Sequence, residues 1–213
     1  MKIPTQIKNY FTYWIYRFYY FLDEVFKFEM IFYNEKKWQL EDLYAYYNSM
    51  KYFSKLHNSI NQKYDKKYPY NYHLKMIVGY VMQFSYLLEK FEKNLAIIGG
   101  FGYDSIEDVN GIGYNNLIKI YGNTIANIIY CCTNEKGKNR KERTNDKFYK
   151  ELKQNELAVY VKLCDRIANM QYSKDNGGIM FSKYCIIWPQ FKEKLYTEKF
   201  KDMFDFVDKM IKN

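Results

Sequence analysis

The chain has 213 residues, of which 48% are hydrophobic and 27% charged, and this balance excludes a disordered segment and fits one well-buried domain. Its net charge of +9 favours an anionic ligand or partner. No recognised nucleic-acid motif accompanies the charge, and the Lys residues are scattered among Asp and Glu, so nucleic acid is not expected as a partner.

An aromatic-rich segment occupies residues 5–34 and predicts one or two helices. Its most apolar part, residues 11–21, contains Arg17 and is followed by two acidic residues, so it is too short and too polar to cross a bilayer. We therefore expect no membrane association and a cytoplasmic location. Residues 1–50 are predicted to form an N-terminal helical extension packed on a core domain of residues 51–213.

The middle of the chain has helical periodicity. Apolar residues recur at intervals of three and four between residues 40 and 60, and a polar loop with a proline follows at 61–71. The helical pattern then returns at residues 72–91 and continues to residue 98. Gly99, Gly100 and Gly102 are expected to break or kink this helix.

The second half of the chain predicts further helices at 114–120, 123–132, 141–153, 156–170 and 181–211, separated by loops. The helix at 156–170 is apolar almost all round, which predicts a central position. No segment alternates like a strand between turn residues. The predicted fold is therefore all-α.

Residues 161–170 read VKLCDRIANM and place polar side chains on that apolar helix. Asp165 and Asn169 are four residues apart and so share one face. A carboxylate on a buried helix costs free energy unless it meets a metal or a cation. Asp165 is therefore a candidate metal ligand, and the alternative is a structural ion pair with Arg166 or a Lys.

Two further strings precede this helix. The chain has only two His, His57 and His73, and the second follows a Pro-Tyr pair at residues 69–70. Residues 103–108 read YDSIED. In this order the three strings resemble the HD-domain alarmone hydrolases of the Rel/SpoT type, which occur in bacteria, phages and animals. The resemblance covers roughly residues 51–172 and implies an HD-domain helical bundle.

The resemblance also implies a metal centre that releases pyrophosphate from a guanosine alarmone. A divalent metal, manganese first and iron or zinc otherwise, would be held by His73, Asp104 and Asp165. Glu107 and Asp108 match the acidic pair that positions water and handles protons. Tyr103 stands where the family has its fourth ligand, a His, and a phenol is a poor ligand unless deprotonated. The sequence leaves two alternatives: a site that binds its metal more weakly, and a site that has lost its metal.

Phosphate-binding residues are implied around this centre. Arg is scarce in the chain, yet Arg140 and Arg143 lie close together beside Lys138, and a guanidinium fork matches phosphate oxygens. The alternative for this basic run is a solvated loop. The resemblance adds three residues that would shape the site or face the substrate, namely Arg166, Asn169 and His57.

Two functions follow. The first is a metal-dependent nucleotide phosphohydrolase of the HD type, or a recently inactivated form of one, acting on an anionic nucleotide with a pyrophosphate. The second is a catalytically dead binding module that sequesters a nucleotide or inhibits a protein partner.

Overall fold

Nine α-helices and one short β-hairpin make up residues 40–133 and 144–212, which are the residues that a computed structural model describes. In chain order they are α1 (Leu40–Ser59), β1 (Lys63–Tyr64), β2 (Tyr68–Pro69), α2 (Asn71–Gln83), α3 (Lys90–Gly102), α4 (Ser105–Asp108), α5 (Tyr114–Cys132), α6 (Asp146–Lys153), α7 (Glu156–Asp175), α8 (Ile179–Leu195) and α9 (Lys201–Lys212). Two 3₁₀ turns, Ser85–Leu87 and Glu198–Phe200, complete the list. The predicted all-α fold class is confirmed.

Part of the sequence-based prediction lies outside the described residues. The helices predicted within residues 5–34 fall there, as does the basic run at 134–143. Helix α1 runs through residue 50, and the predicted division into an extension and a core domain stays a prediction. None of the described helices has the length and the hydropathy that a membrane span requires.

Helix α7 lies at the centre, as its apolar sequence predicted. It packs against α2, α3, α5, α6, α8 and α9. Side chains on every face of its middle turns are buried, including Val161, Leu163, Cys164 and Ile167. A polar residue on this helix is therefore held inside the protein, where it needs a polar partner.

The single helix expected from residue 72 to 98 is in fact two helices, so that prediction is wrong. Helix α2 ends at Gln83, and α3 begins only at Lys90. Between them Leu88 has extended backbone, with φ −118° and ψ 149°. The Glu92 carboxylate accepts a hydrogen bond from the Glu89 backbone N–H at 2.9 Å, which caps the new helix in a way that apolar periodicity does not reveal.

The glycines of α3 do not interrupt it, contrary to expectation. Gly99 and Gly102 lie within the helix and allow α3 to approach α5 closely. A Cβ atom on Gly99 would lie 2.7 Å from Cγ2 of Ile128, and one on Gly102 would overlap with Ile129. Close packing of α3 against α5 is therefore the reason for these glycines.

Helix α5 bends at Gly122, whose φ of +81° and ψ of 172° are not helical. This bend confirms the prediction of two helices at 114–120 and 123–132. The stretch 181–211 was predicted as one helix around Pro189, and it contains two. Pro189 lies inside α8, and the chain turns at Tyr196 before α9 begins.

Candidate functional site

The Tyr103-Asp104 pair forms a sharp corner between α3 and α4. Tyr103 has φ −50° and ψ 139°, so the helix ends there, and Asp104 has left-handed backbone with φ +62°. Asp is one of the few residues that visit this conformation readily. The corner sends the two side chains to different partners, Tyr103 toward α7 and Asp104 toward the residue that precedes α2.

The carboxylate of Asp165 receives polar contacts on both oxygens. Its Oδ1 accepts a hydrogen bond from Asn169 Nδ2 at 2.6 Å and lies 3.2 Å from His73 Nε2. Its Oδ2 accepts a hydrogen bond from the Tyr103 hydroxyl at 2.8 Å. Three residues that the sequence assigned to one centre, His73, Tyr103 and Asp165, are thus in direct contact.

Lys162 adds a cation to this centre. It lies three residues before Asp165 on α7, and its Nζ donates to the Tyr103 hydroxyl at 2.6 Å and to the Cys132 carbonyl at 3.0 Å. The same Nζ lies 4.7 Å from the centroid of the Tyr103 ring and 5.3 Å from that of Phe148. Ring faces of this kind attract a cation.

The environment shifts the acidic groups in opposite directions. Burial alone would raise the pKa of Asp165, but the hydrogen bond from His73 and the charge of Lys162 outweigh burial and bring that pKa down to about 2. Burial and the nearby charge of Asp165 raise the pKa of Asp104 well above its usual range. Burial likewise raises the pKa of Tyr103 well above that of a free phenol, so its hydroxyl stays protonated at neutral pH.

Two tyrosines to which the sequence pattern assigned no role hold the centre in place. The ring of Tyr64 stacks on His73 with centroids 4.6 Å apart and planes 3° apart, and its hydroxyl donates to Asn169 Oδ1 at 3.0 Å. The Tyr70 hydroxyl donates to Asp104 Oδ2 at 2.5 Å. The β-hairpin therefore supports both His73 and the helix face that carries Asp165.

The acidic pair at the start of α4 is only partly enclosed. Glu107 is exposed, and Asp108 is half-buried and accepts a hydrogen bond from Gln62 Nε2 at 2.7 Å. The Oε1 of Gln62 lies 2.6 Å from Nδ1 of His57, whose side chain is fully buried beside Tyr70. Gln62 thus connects His57 to Asp108. A direct contact between His57 and a substrate stays a prediction.

Arg166 is enclosed by aromatic rings. Its guanidinium carbon lies 4.8 Å from the ring centroids of both Tyr184 and Phe191, and the residue is buried. This position suits a structural cation, and the predicted phosphate contact of Arg166 stays a prediction. Lys138, Arg140 and Arg143 lie outside the described residues.

The residues present do not fit the divalent metal that the resemblance implies. Within residues 40–133 and 144–212, no group of three or more His, Cys, Asp or Glu side chains is arranged to hold a metal ion. A His ligand normally donates its other ring N–H to an acceptor, yet Nδ1 of His73 is buried without a hydrogen-bond partner. The neutral phenol of Tyr103 supplies no replacement for an imidazole.

Sequence reasoning missed Lys162, Gln62, Tyr64 and Tyr70 as members of the site. Lys162 was visible within the VKLCDR string, and its spacing of three from Asp165 places both on neighbouring positions of one helix face. The other three contact their partners only through the tertiary fold, so no local pattern indicates them.

Comparison with known proteins identifies the fold. No protein-family model matches the sequence, and no curated protein matches it. A solved structure of a metazoan ortholog of SpoT, described as hydrolyzing ppGpp and playing a role in starvation responses, matches with a TM-score of 0.58. The match covers 81% of this chain and 96% of the other, at 14% identity. The chain therefore shares the fold of that solved structure, the HD-domain fold that its three strings predicted.

Proposed function

We propose that this chain binds a nucleotide carrying a pyrophosphate in the pocket of an HD fold whose hydrolytic metal centre has been inactivated. The observation that carries the proposal is the Tyr103 hydroxyl, which donates to Asp165 where the resemblance requires an imidazole. A neutral phenol that donates its proton to this carboxylate brings no negative charge to a metal and is a poor ligand.

The rim of the site supports a nucleotide as the ligand. Tyr64, which stacks on His73, also meets the ring of Tyr172 with centroids 4.9 Å apart. Tyr68 and Tyr72 stack at 4.5 Å on the same side, and all four rings are partly exposed. Lys67 lies 4.8 Å over the Tyr68 ring, beside exposed lysines of the hairpin turn. Exposed ring faces suit a planar base, and the ammonium groups suit phosphates.

The similarity to a ppGpp hydrolase narrows the ligand class to guanosine nucleotides with a pyrophosphate. The net charge of +9 favours such an anion over a neutral ligand. Asp104, Glu107 and Asp108 remain at their motif positions, which supports retention of the pocket's shape after loss of the metal.

Calorimetric titration with guanosine tetraphosphate tests the proposal. Binding should be measurable in EDTA, and added Mn²⁺ should produce no pyrophosphate. Arg140→Gln and Arg143→Gln should weaken binding more than Lys51→Gln, an exposed Lys on α1 that serves as the matched charge control. Equal effects at the three positions would show that only diffuse charge matters.

Tyr103→His separates an inactivated site from one that was never hydrolytic. The substitution returns an imidazole beside Asp104, so Mn²⁺-dependent release of pyrophosphate should appear in the variant alone. Release by the unsubstituted protein would contradict the inactivation. A protein that binds no nucleotide in either form would leave the alternative, a module that binds a protein partner.

A further inference from the structure

We propose that the β1–β2 hairpin is a lid over the centre, closed by the ring of Tyr64 against His73 and latched to α7 by the hydroxyls of Tyr64 and Tyr172. A ligand that approaches His73 from this side must first displace the Tyr64 ring, so the latch controls access to the site. The effect on nucleotide affinity rests on the proposed function, whereas closure of the lid is measured without nucleotide.

The Tyr64 ring covers one face of the His73 imidazole. The two rings are nearly parallel, with planes 3° apart and centroids 4.6 Å apart. His73 is only 2% exposed, whereas the Tyr64 side chain is partly exposed, so the phenol ring lies between this face of the imidazole and the surface. Movement of the Tyr64 side chain therefore uncovers His73.

Two tyrosine hydroxyls fasten the hairpin to α7. The Tyr64 hydroxyl donates to Asn169 Oδ1 at 3.0 Å, and the Tyr172 hydroxyl donates to Asp65 Oδ2 at 2.9 Å. The rings of Tyr64 and Tyr172 also meet edge to face, with centroids 4.9 Å apart. Each hydrogen bond joins a residue of the hairpin segment to a residue of α7, so both hold the lid in its closed position.

The hairpin has little stability of its own. Each strand has only two residues, and a short two-stranded hairpin is marginally stable in water. Its turn places Asp65 and Lys66 in left-handed backbone, with φ of +51° and +58°. A positive φ is unfavourable for a side chain such as that of Lys. The closed position therefore depends on the contacts with α7, and the loss of one should increase the open fraction.

The two histidines of the chain make the open fraction measurable. Diethyl pyrocarbonate acylates accessible imidazole rings, and peptide mass spectrometry distinguishes His57 from His73. In the unsubstituted protein His73 should react slowly, at a rate proportional to the open fraction. His57 is fully buried on α1 and contacts Gln62, outside the hairpin strands, so it reports a general loosening of the fold.

Tyr172→Phe tests the latch without altering His73 or the ring that covers it. The substitution removes only the hydroxyl that bonds Asp65 and retains the aromatic ring. The rate of His73 acylation should rise about fivefold, as expected from the net loss of one hydrogen bond.

Tyr196→Phe is the matched control. The Tyr196 hydroxyl donates to Glu198 Oε2 at 2.8 Å, which is a second exposed bond between a tyrosine and a carboxylate, remote from the hairpin in sequence. This control should leave the acylation rate of His73 unchanged. Equal His73 rates in Tyr172→Phe and Tyr196→Phe, or a parallel rise at His57, would overturn the proposal.

Tyr64→Ala gives the acylation rate of an uncovered His73. This rate should exceed that of Tyr172→Phe, in which the lid still closes for part of the time. An unsubstituted protein that reacts as fast as Tyr64→Ala would have no closed lid, which would overturn the proposal even if no other variant folds.

Nucleotide affinity then separates the lid from the proposed function. Tyr172→Phe should bind guanosine tetraphosphate about fivefold more tightly than the unsubstituted protein, because a larger fraction of its molecules is open. Faster acylation with unchanged affinity would overturn control of the site by the lid. Absence of nucleotide binding in every form would contradict the proposed function instead, and the acylation rates would still decide whether the lid exists.

Discussion

Two lysine–aspartate systems in this protein, each with a buried carboxylate, are built differently. Lys93 on α3 contacts Asp42 on α1 directly, with 2.5 Å between Nζ and Oδ2. The hydroxyl of Tyr103 connects Lys162 to Asp165, and both of these residues lie on α7. The direct pair joins two helices. The relayed pair has His73 and Asp104 beside it, which are the residues that the motif assigns to a metal.

A charge pair with a buried carboxylate can therefore serve only to hold two helices together, or it can belong to what is left of a chemical site. The two systems differ in the residues that surround them and not in whether the carboxylate is buried. A direct ion pair depends on two residues, whereas the relayed one also depends on a third, Tyr103, whose hydroxyl connects the two charged groups.

Removal of either lysine should have the largest effect on stability. Lys162→Met and Lys93→Met should each lower the free energy of unfolding by about 3–5 kcal/mol, because each leaves a buried carboxylate without its cation. Urea unfolding in EDTA measures both. A loss below about 1 kcal/mol for Lys162→Met, as expected of an exposed pair, would show that Asp165 does not depend on this cation.

Tyr103→Phe should break the hydrogen-bonded connection between Lys162 and Asp165. The direct Lys93–Asp42 pair has no connecting residue that could be replaced in the same way. We expect a loss of about 2 kcal/mol, since the hydroxyl bonds two charged groups. The control is Tyr160→Phe, which removes an equally buried hydroxyl that donates to the neutral Val81 carbonyl at 2.7 Å. That control should cost about 1 kcal/mol. Equal losses of unfolding free energy from Tyr103→Phe and Tyr160→Phe would show that the Tyr103 hydroxyl contributes no more than a hydroxyl bonded to a neutral carbonyl.

Acid should weaken the relayed system over a defined range. The pKa of Asp165 falls from 3.8 to about 2 on folding, so its contribution of about 2 kcal/mol is present above pH 4. Because the folded-state pKa is the lower one, this contribution is lost as the pH falls from about 4 to 2. Unfolding free energies across that range should show the loss in the unsubstituted protein and a smaller one in Lys162→Met. Identical pH profiles would contradict the role of Lys162.

Asp104→Asn should have the smallest effect, and of opposite sign. Burial and the charge of Asp165 raise the pKa of Asp104, so its ionised form costs stability as the pH rises above the unfolded-state value. Asn keeps an acceptor for Tyr70 and tolerates left-handed backbone. At neutral pH, Asp104→Asn should have a higher free energy of unfolding than the unsubstituted protein. This gain should be smaller than the loss expected for Tyr103→Phe. Destabilisation in urea would show that Asp104 is held as a charged group.

The fold was largely predictable from periodicity, for reasons visible in particular elements. Helix α7 is apolar almost all round, and a central position buries most of it. The bend of α5 at Gly122 matches the two helices that the pattern predicted. The break between α2 and α3 was not predictable from periodicity, because a capping interaction of Glu92 and extended backbone at Leu88 override a continuous apolar pattern.

The site was predictable only in part. The motif strings indicated His73, Tyr103 and Asp165, and the fold brings these three into contact. The relay could not be predicted, because Tyr103 and Lys162 are 59 positions apart in sequence and no spacing rule joins them. Gln62 and Tyr64 belong to a segment that the sequence indicated only as a polar loop, and their contacts exist only once the hairpin has folded against α7.

Elemental analysis of the purified protein tests the central claim most directly. The unsubstituted chain would be produced with excess manganese, iron and zinc, passed through a desalting column without chelator, and analysed beside Tyr103→His and Lys162→Met. The account predicts far less than one ion per chain in the unsubstituted protein, more in Tyr103→His, which regains an imidazole, and no gain in Lys162→Met, which regains no ligand. One tightly held ion per unsubstituted chain would contradict it, because the metal centre would then not be inactivated.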